Sequence, residues 1–264
     1  MSTRAQPRTA ASSPAAPAPP PRRGAGPRRS SQAATIRRRR LVVIGIVVVA
    51  LLGIAYGITR SPLLAVDTLQ VRGTSHLTPA QVTTAAGIHE GDAMAWIDPG
   101  AAVEGIEALP YVRGATVARE WPQTVRITVH ERTPAAWLDA PVGKALVDRT
   151  GRVLEVVDGA PEGRPQLLGA KVVPPPGGTI GTVDAVGAAR VAGALTGLAA
   201  GGTASVETTD HGVVLHLRSG AEIRMGEPTQ IAVKLRAALA VLGASQGRPL
   251  TYVDVSTPTN PVTD

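Results

Sequence analysis

Eighteen consecutive residues, Leu41 to Ile58 (LVVIGIVVVALLGIAYGI), carry no charge and, apart from Tyr56, no polar side chain. At about 1.5 Å of rise per residue, a helix of this length spans about 27 Å, close to the hydrocarbon thickness of a bilayer. No face of the run is polar, and the buried core helix of a soluble domain is the weaker reading. Arg37, Arg38, Arg39 and Arg40 stand directly before it, and only Arg60 lies close behind. That asymmetry predicts a cytoplasmic N-terminus, with residues from about 60 onward outside. The competing reading is a cleaved signal peptide, for which Ala55-Tyr56-Gly57 offers a small-x-small site. The apolar core and the 40-residue tail before it are both too long for that. The sequence therefore predicts a single-pass anchor, embedded in the cell membrane, with a large extracytoplasmic part.

The formal charge of +7 is unevenly placed: residues 1–40 hold ten arginines and no acid, which leaves 17 basic and 20 acidic groups in the rest. The basic pI thus belongs to the tail and gives no reason to expect nucleic-acid binding by the folded part. Residues 1–40, rich in Pro, Ala, Ser and Arg, predict a disordered basic cytoplasmic tail. Cysteine is absent, which excludes disulfides, zinc-thiolate sites and cysteine nucleophiles. With no phenylalanine either, the core has to be built from Val, Leu, Ile and Ala.

Beyond the span, Val66 to Gly73 reads as a strand with Leu69 and Val71 facing inward. Thr78, Pro79 and Gln81 then spell a helix N-terminus with a capping box, Leu77 and Val82 hold staple positions, and Gly87 supplies the stop. Asp98 and Pro99 open a second helix through Val103, Ile106 and Leu109, ended by Pro110. A strand over Val112 to Arg119, a Trp121-Pro122-Gln123 turn and the strict alternation of Val125, Ile127 and Val129 with polar residues predict a half-buried hairpin. The order β-α-α-β-β defines a compact α+β unit, two helices covering a three-stranded sheet.

The run Arg119-Glu120-Trp121-Pro122-Gln123-Thr124-Val125-Arg126-Ile127-Thr128-Val129-His130-Glu131-Arg132-Thr133-Pro134 resembles the end of the POTRA domain in the FtsQ/DivIB family of bacterial cell-division proteins. Val71-Arg72-Gly73 matches the V-x-G that opens that domain. Tyr252-Val253-Asp254-Val255-Ser256 followed by Pro258 is similar to the ending of the family's second, β-rich domain. The resemblance implies a POTRA domain over 63–132, a β domain over 133–257 after a transmembrane helix at 41–58, and a C-terminal coil over 258–264. It also implies an essential-type, non-enzymatic scaffold at the division septum that links early and late divisome proteins. Its expected partners are FtsB (DivIC) and FtsL, docked at the last strand of the β domain, and upstream division proteins at the first domain.

Residues 135–256 agree on their own terms. Ala135 to Asp139, Ala145 to Asp148, Val153 to Val157 and Gln166 to Leu168 are short strand candidates. Val183 to Ala200 reads as an Ala-rich helix, and Val213 to Leu217 pairs with Ala221 to Met225 across a Ser219-Gly220 turn. Thr229 to Leu242 reads as an amphipathic helix with Ile231, Leu235, Leu239 and Leu242 buried and Gly243 as its stop. Tyr252 to Ser256 is the last strand expected, because Pro258 and Pro261 oppose further ladder pairing.

His76, His89, His130, His211 and His216 fall in no metal-ligand spacing, and no P-loop or S-x-x-K pair occurs, so no metal, cofactor or catalytic set is expected. Binding remains. If Tyr252 to Ser256 lies at a sheet edge, its outward N–H and C=O groups form a template for a partner strand, with Val253 and Val255 locked inward and Tyr252, Asp254 and Ser256 outward. The alternatives weighed are a POTRA-type chaperone of exported polypeptides, which predicts tandem copies of the first domain, a tethered extracytoplasmic enzyme, and a one-span receptor.

Overall fold

A computed structural model describes residues 30–59, 61–170, 172–195, 202–245 and 248–264; the expected tail before residue 30 lies outside them. Two compact units divide near the end of the apolar run, Met1–Ala55 and Tyr56–Asp264.

The first unit is dominated by α1 (Ser30–Thr59), 30 residues long. Its stretch Arg37–Gly57 is long and apolar enough to cross a membrane, and Leu41 to Ile54 are exposed all round. The helix begins eleven residues before the apolar run, so residues 30–40 are helical where a disordered tail was expected. Ala33, Ala34 and the four arginines are good helix formers, and extending a nucleated helix costs far less than starting one.

The second unit opens with β1 (Thr68–Arg72), α2 (Pro79–Ala86), α3 (Pro99–Glu107), β2 (Val112–Glu120) and β3 (Thr124–Glu131), the expected β-α-α-β-β order. β3 is central, parallel to β1 and antiparallel to β2. Its alternating Val125, Ile127 and Val129 are fully buried with Val82, Met94 and Ile106 beneath the helices. Both ends of α2 are set by local chemistry. The Thr78 hydroxyl accepts from the Gln81 amide while the Gln81 side chain accepts from Thr78, and Gly87 closes the helix in the left-handed region.

The β-rich part comprises β4 (Pro134–Asp139), β5 (Lys144–Asp148), β6 (Val153–Val157), β7 (Gln166–Leu168), α4 (Val183–Leu195), β8 (Thr203–Thr209), β9 (Gly212–Leu217), β10 (Glu222–Gly226), α5 (Ile231–Ala244), β11 (Tyr252–Asp254) and β12 (Val262–Thr263). All eleven strands and helices except α4 and α5 belong to one sheet of order β12-β11-β10-β9-β8-β7-β4-β5-β6. α4 and α5 pack on the sheet through a core of small residues, among them Ala185, Ala188, Ala189, Ala192 and Ala238. Close approach explains the glycines in α4: a Cβ on Gly193 would stand 2.4 Å from Arg149 Cβ.

β5 shows why a strand here reads as an unbroken apolar run. Ala145 and Val147 face α4, while Leu146 turns to the other side and packs with Leu154 against Tyr111 of the first domain. A strand buried on both faces loses the alternation of a half-buried one. At the same joint the Tyr111 hydroxyl donates to Glu155 at 2.5 Å and its ring stacks on His76. Arg132 donates to Val112 O at 2.9 Å and to Asp148 at 2.8 Å. Burial alone would raise the Asp148 carboxyl, but hydrogen bonds from Thr150 and Arg132 outweigh it and hold the group below its ordinary range.

Candidate partner-binding edge

β11 follows α5 and returns to the sheet beside β10. The pairing is parallel, with Glu222 opposite Tyr252, Ile223 opposite Val253 and Arg224 opposite Asp254. Val253 and Val255 are fully buried, which fixes the strand in the core, whereas Tyr252 and Asp254 are half-buried and Ser256 exposed. The five residues therefore alternate as expected. Arg224 lies over the Tyr252 ring at 4.5 Å, and Asp254 accepts from the Ser256 amide at 2.8 Å, closing the end of the strand.

The backbone sorts the strand's hydrogen-bonding groups by direction. Glu222 N–H donates to Thr251 O at 3.0 Å and Val255 N–H to Arg224 O at 2.9 Å. Odd-numbered residues thus serve the ladder to β10, and alternation turns the amides of Tyr252 and Asp254 to the opposite side.

That opposite side is not open. β12 pairs antiparallel with β11, Thr263 opposite Val253 and Val262 opposite Asp254, so β12 and not β11 is the edge of the sheet. This corrects two expectations, an uncovered Tyr252–Ser256 edge and a coil over residues 258–264. The prolines do not prevent the pairing because both precede β12: the chain reverses in a turn in which Asn260 N–H donates to Thr257 O at 3.1 Å. The Asp264 carboxylate then accepts from the Thr251 amide at 3.0 Å and the Tyr252 amide at 3.4 Å. Hydrogen bonding from Thr251 is the main cause that holds this carboxyl below its usual range. Two residues of ladder and one exposed carboxylate make up the cover.

His76 and His89 each face one carboxylate, and His216 sits between Glu207 and Glu222 with Nε2 2.8 Å from Glu207. A G-x-S-x-G spelling occurs at residues 243–247, but its Ser245 caps the end of α5 rather than standing on a strand-to-helix turn. Ser245 Oγ there donates to Leu242 O at 2.7 Å, as a helix-terminal hydroxyl does.

Comparison with known proteins bears on both parts of the second unit. The family description "POTRA domain, FtsQ-type" matches residues 64–132. "Cell division protein FtsQ/DivIB, C-terminal" matches residues 135–256. Similar curated relatives carry the name cell division protein FtsQ. That of Streptomyces venezuelae is 30% identical over 221 residues, covering 81% of this chain and 80% of the relative. That of Streptomyces collinus is 31% identical over 232 residues, covering 82% and 86%. The Corynebacterium glutamicum relative is 32% identical over 136 residues, an alignment that spans 48% of this chain and 60% of that relative.

Proposed function

The chain belongs to the FtsQ/DivIB family of cell division proteins, and from that membership we propose that it is a non-enzymatic scaffold of the division septum. In this reading residues 1–40 are cytoplasmic and basic, the apolar run crosses the membrane once, and the POTRA domain (63–132) and β domain (133–257) stand outside. The outer domains align partners rather than transform a substrate. Upstream division proteins meet the POTRA domain, and the paired subunits FtsB (DivIC) and FtsL meet the β domain by adding a strand along Tyr252, Val253, Asp254, Val255 and Ser256.

One observation carries the docking assignment. β11 is anchored by two fully buried valines, yet among the described residues the amides of Tyr252 and Asp254 on its far side are met by a two-residue strand and a carboxylate. A rigid strand with a lightly covered far side is a template for strand addition. The direction of the amides also selects the informative substitution. Proline at Val253 would break the internal ladder to β10, whereas proline at Asp254 removes an outward N–H and leaves that ladder in place.

The test pairs a cellular and a biochemical readout. A fluorescent fusion at the N-terminus, imaged during depletion of the native protein, is expected to form a midcell band, and depleted cells are expected to lack septa. Asp254→Pro is expected to abolish co-purification of the FtsB/FtsL pair while the chain stays folded. Uniform membrane staining with normal septa refutes the septal role, and unchanged co-purification refutes docking at β11. The export-chaperone alternative predicts tandem POTRA copies, and the matched profile has a single copy followed by the FtsQ/DivIB C-terminal domain.

A further inference from the structure

We propose that residues 258–264 are a resident edge strand that a partner strand must displace, with the Asp264 carboxylate as its latch. The inference rests on the reading of β11 as the docking strand and adds a built-in competitor at that site.

The covering segment has the features of a removable part. Its ladder is two residues long, Val253 with Thr263 and Asp254 with Val262. Its side chains contribute nothing to the core: Val262 is 50% exposed, and the buried cluster beneath β11 is completed by Val253, Val255 and residues of α4, α5 and the inner strands. The remaining contacts are polar and open to water. The Asp264 carboxylate holds the Thr251 and Tyr252 amides, and Arg248 donates to Asp264 O at 3.4 Å. The segment is joined to β11 by a turn flanked by Pro258 and Pro261, whose fixed φ confines the change of direction to a few bonds. Swinging it away uncovers the outward amides of Tyr252 and Asp254 and leaves the strand that bears them locked in place.

Such a cover answers a physical need. A strand edge with free N–H and C=O groups pairs with any extended chain it meets. A short resident strand satisfies those groups until a longer one, with more ladder bonds to offer, replaces it. The incoming segment is therefore an extended peptide that runs antiparallel to β11, as β12 does, and that extends past Asp254 beyond the reach of the resident strand.

The chain contains no cysteine, so an introduced pair gives an unambiguous lock. Facing residues of an antiparallel ladder have Cα atoms about 5.5 Å apart, within disulfide range, and Asp254→Cys with Val262→Cys places one such pair across the two strands. Binding of the FtsB/FtsL pair to the full chain in lipid nanodiscs is measured for this variant oxidised and then reduced, and for a chain ending at Thr257. The oxidised form is expected to bind at least tenfold more weakly than its own reduced form, and the shortened chain at least tenfold more tightly than the full one. Equal binding by oxidised and reduced forms overturns the proposal, as does weaker binding after shortening, which places the partner outside β12. If the shortened chain does not fold, the oxidised and reduced forms decide alone. A Tyr252→Pro control separates the two readings. If it abolishes binding while the lock has no effect, docking at β11 stands and the resident strand falls; if it too has no effect, both fall.

Discussion

Gly73, the glycine of Val71-Arg72-Gly73, has φ of +81°, and a Cβ at this position would stand 2.1 Å from Val129 O. Only glycine meets both conditions where β1 leaves the sheet beside β3. Gly73→Ala is therefore expected to destabilise the second unit by about 2 kcal/mol or more, read as a fall in the denaturation midpoint. Glu131 gives the E-R-x-P run an equally local cause. Its carboxylate accepts from the Ser75 hydroxyl at 2.7 Å, the His76 amide at 2.9 Å and the Leu77 amide at 2.9 Å, tying the loop before α2 to the end of β3. In this motif the glutamate serves as a backbone tie. Glu131→Ala, which leaves two amides without their acceptor, is expected to loosen residues 75–77, seen as faster hydrogen exchange at His76 and Leu77.

Elements whose ends are set by their own residues were the legible ones. α2 follows its Thr78–Gln81 capping box and Gly87 stop, and Thr78→Ala is expected to cost about 1 kcal/mol in thermal unfolding. β3 follows its period of two. β8 escaped the reading because Thr-Ala-Ser-Val-Glu-Thr-Thr presents one large apolar side chain, Val206, and otherwise buries Thr203. Its identity comes from pairing on both sides, with β7 and β9, which no local pattern reports. α5 starts at Ile231, after Gln230 at φ 49°, and passes through Gly243 to Ala244, so the expected glycine stop is an exposed helical residue. The candidate site was legible in its inward half, since alternation placed Val253 and Val255. Its outward half was not, because what covers a strand edge depends on where the chain returns after a turn. Val262 and Thr263 carry no signal beyond their two β-branched side chains.

At the scale of the molecule, the short Arg132-Thr133-Pro134 connection leaves the two folded domains sharing a built joint. Tyr111, Leu146 and Leu154 are buried together across it. Arg132 spans it from Val112 O to Asp148, and Arg152 donates to Pro110 O at 3.3 Å. A joint with its own apolar cluster and a largely buried ion pair couples the folding of one domain to that of the other. The expected signature is a single cooperative unfolding transition of the second unit in the full chain. Removing one partner of a buried pair strands the other, so Asp148→Asn is expected to cost about 2–3 kcal/mol and to split that transition in two. Acid gives an independent check. Asp148 and Glu131 both have folded-state pKa values below their ordinary 3.8 and 4.5, each because hydrogen bonds outweigh the effect of burial. A carboxyl depressed in this way binds fewer protons folded than unfolded. Its stabilisation is complete above the unfolded value and fades as pH falls through the folded one. The transition midpoint is therefore expected to hold from neutrality to about pH 5 and to drop between about pH 5 and 3. Asp148→Asn already lacks one of these titrating groups, so each of its two transitions is expected to show a shallower drop over the same window. An equal drop in both chains would show that the joint's carboxylate takes no part in the acid response.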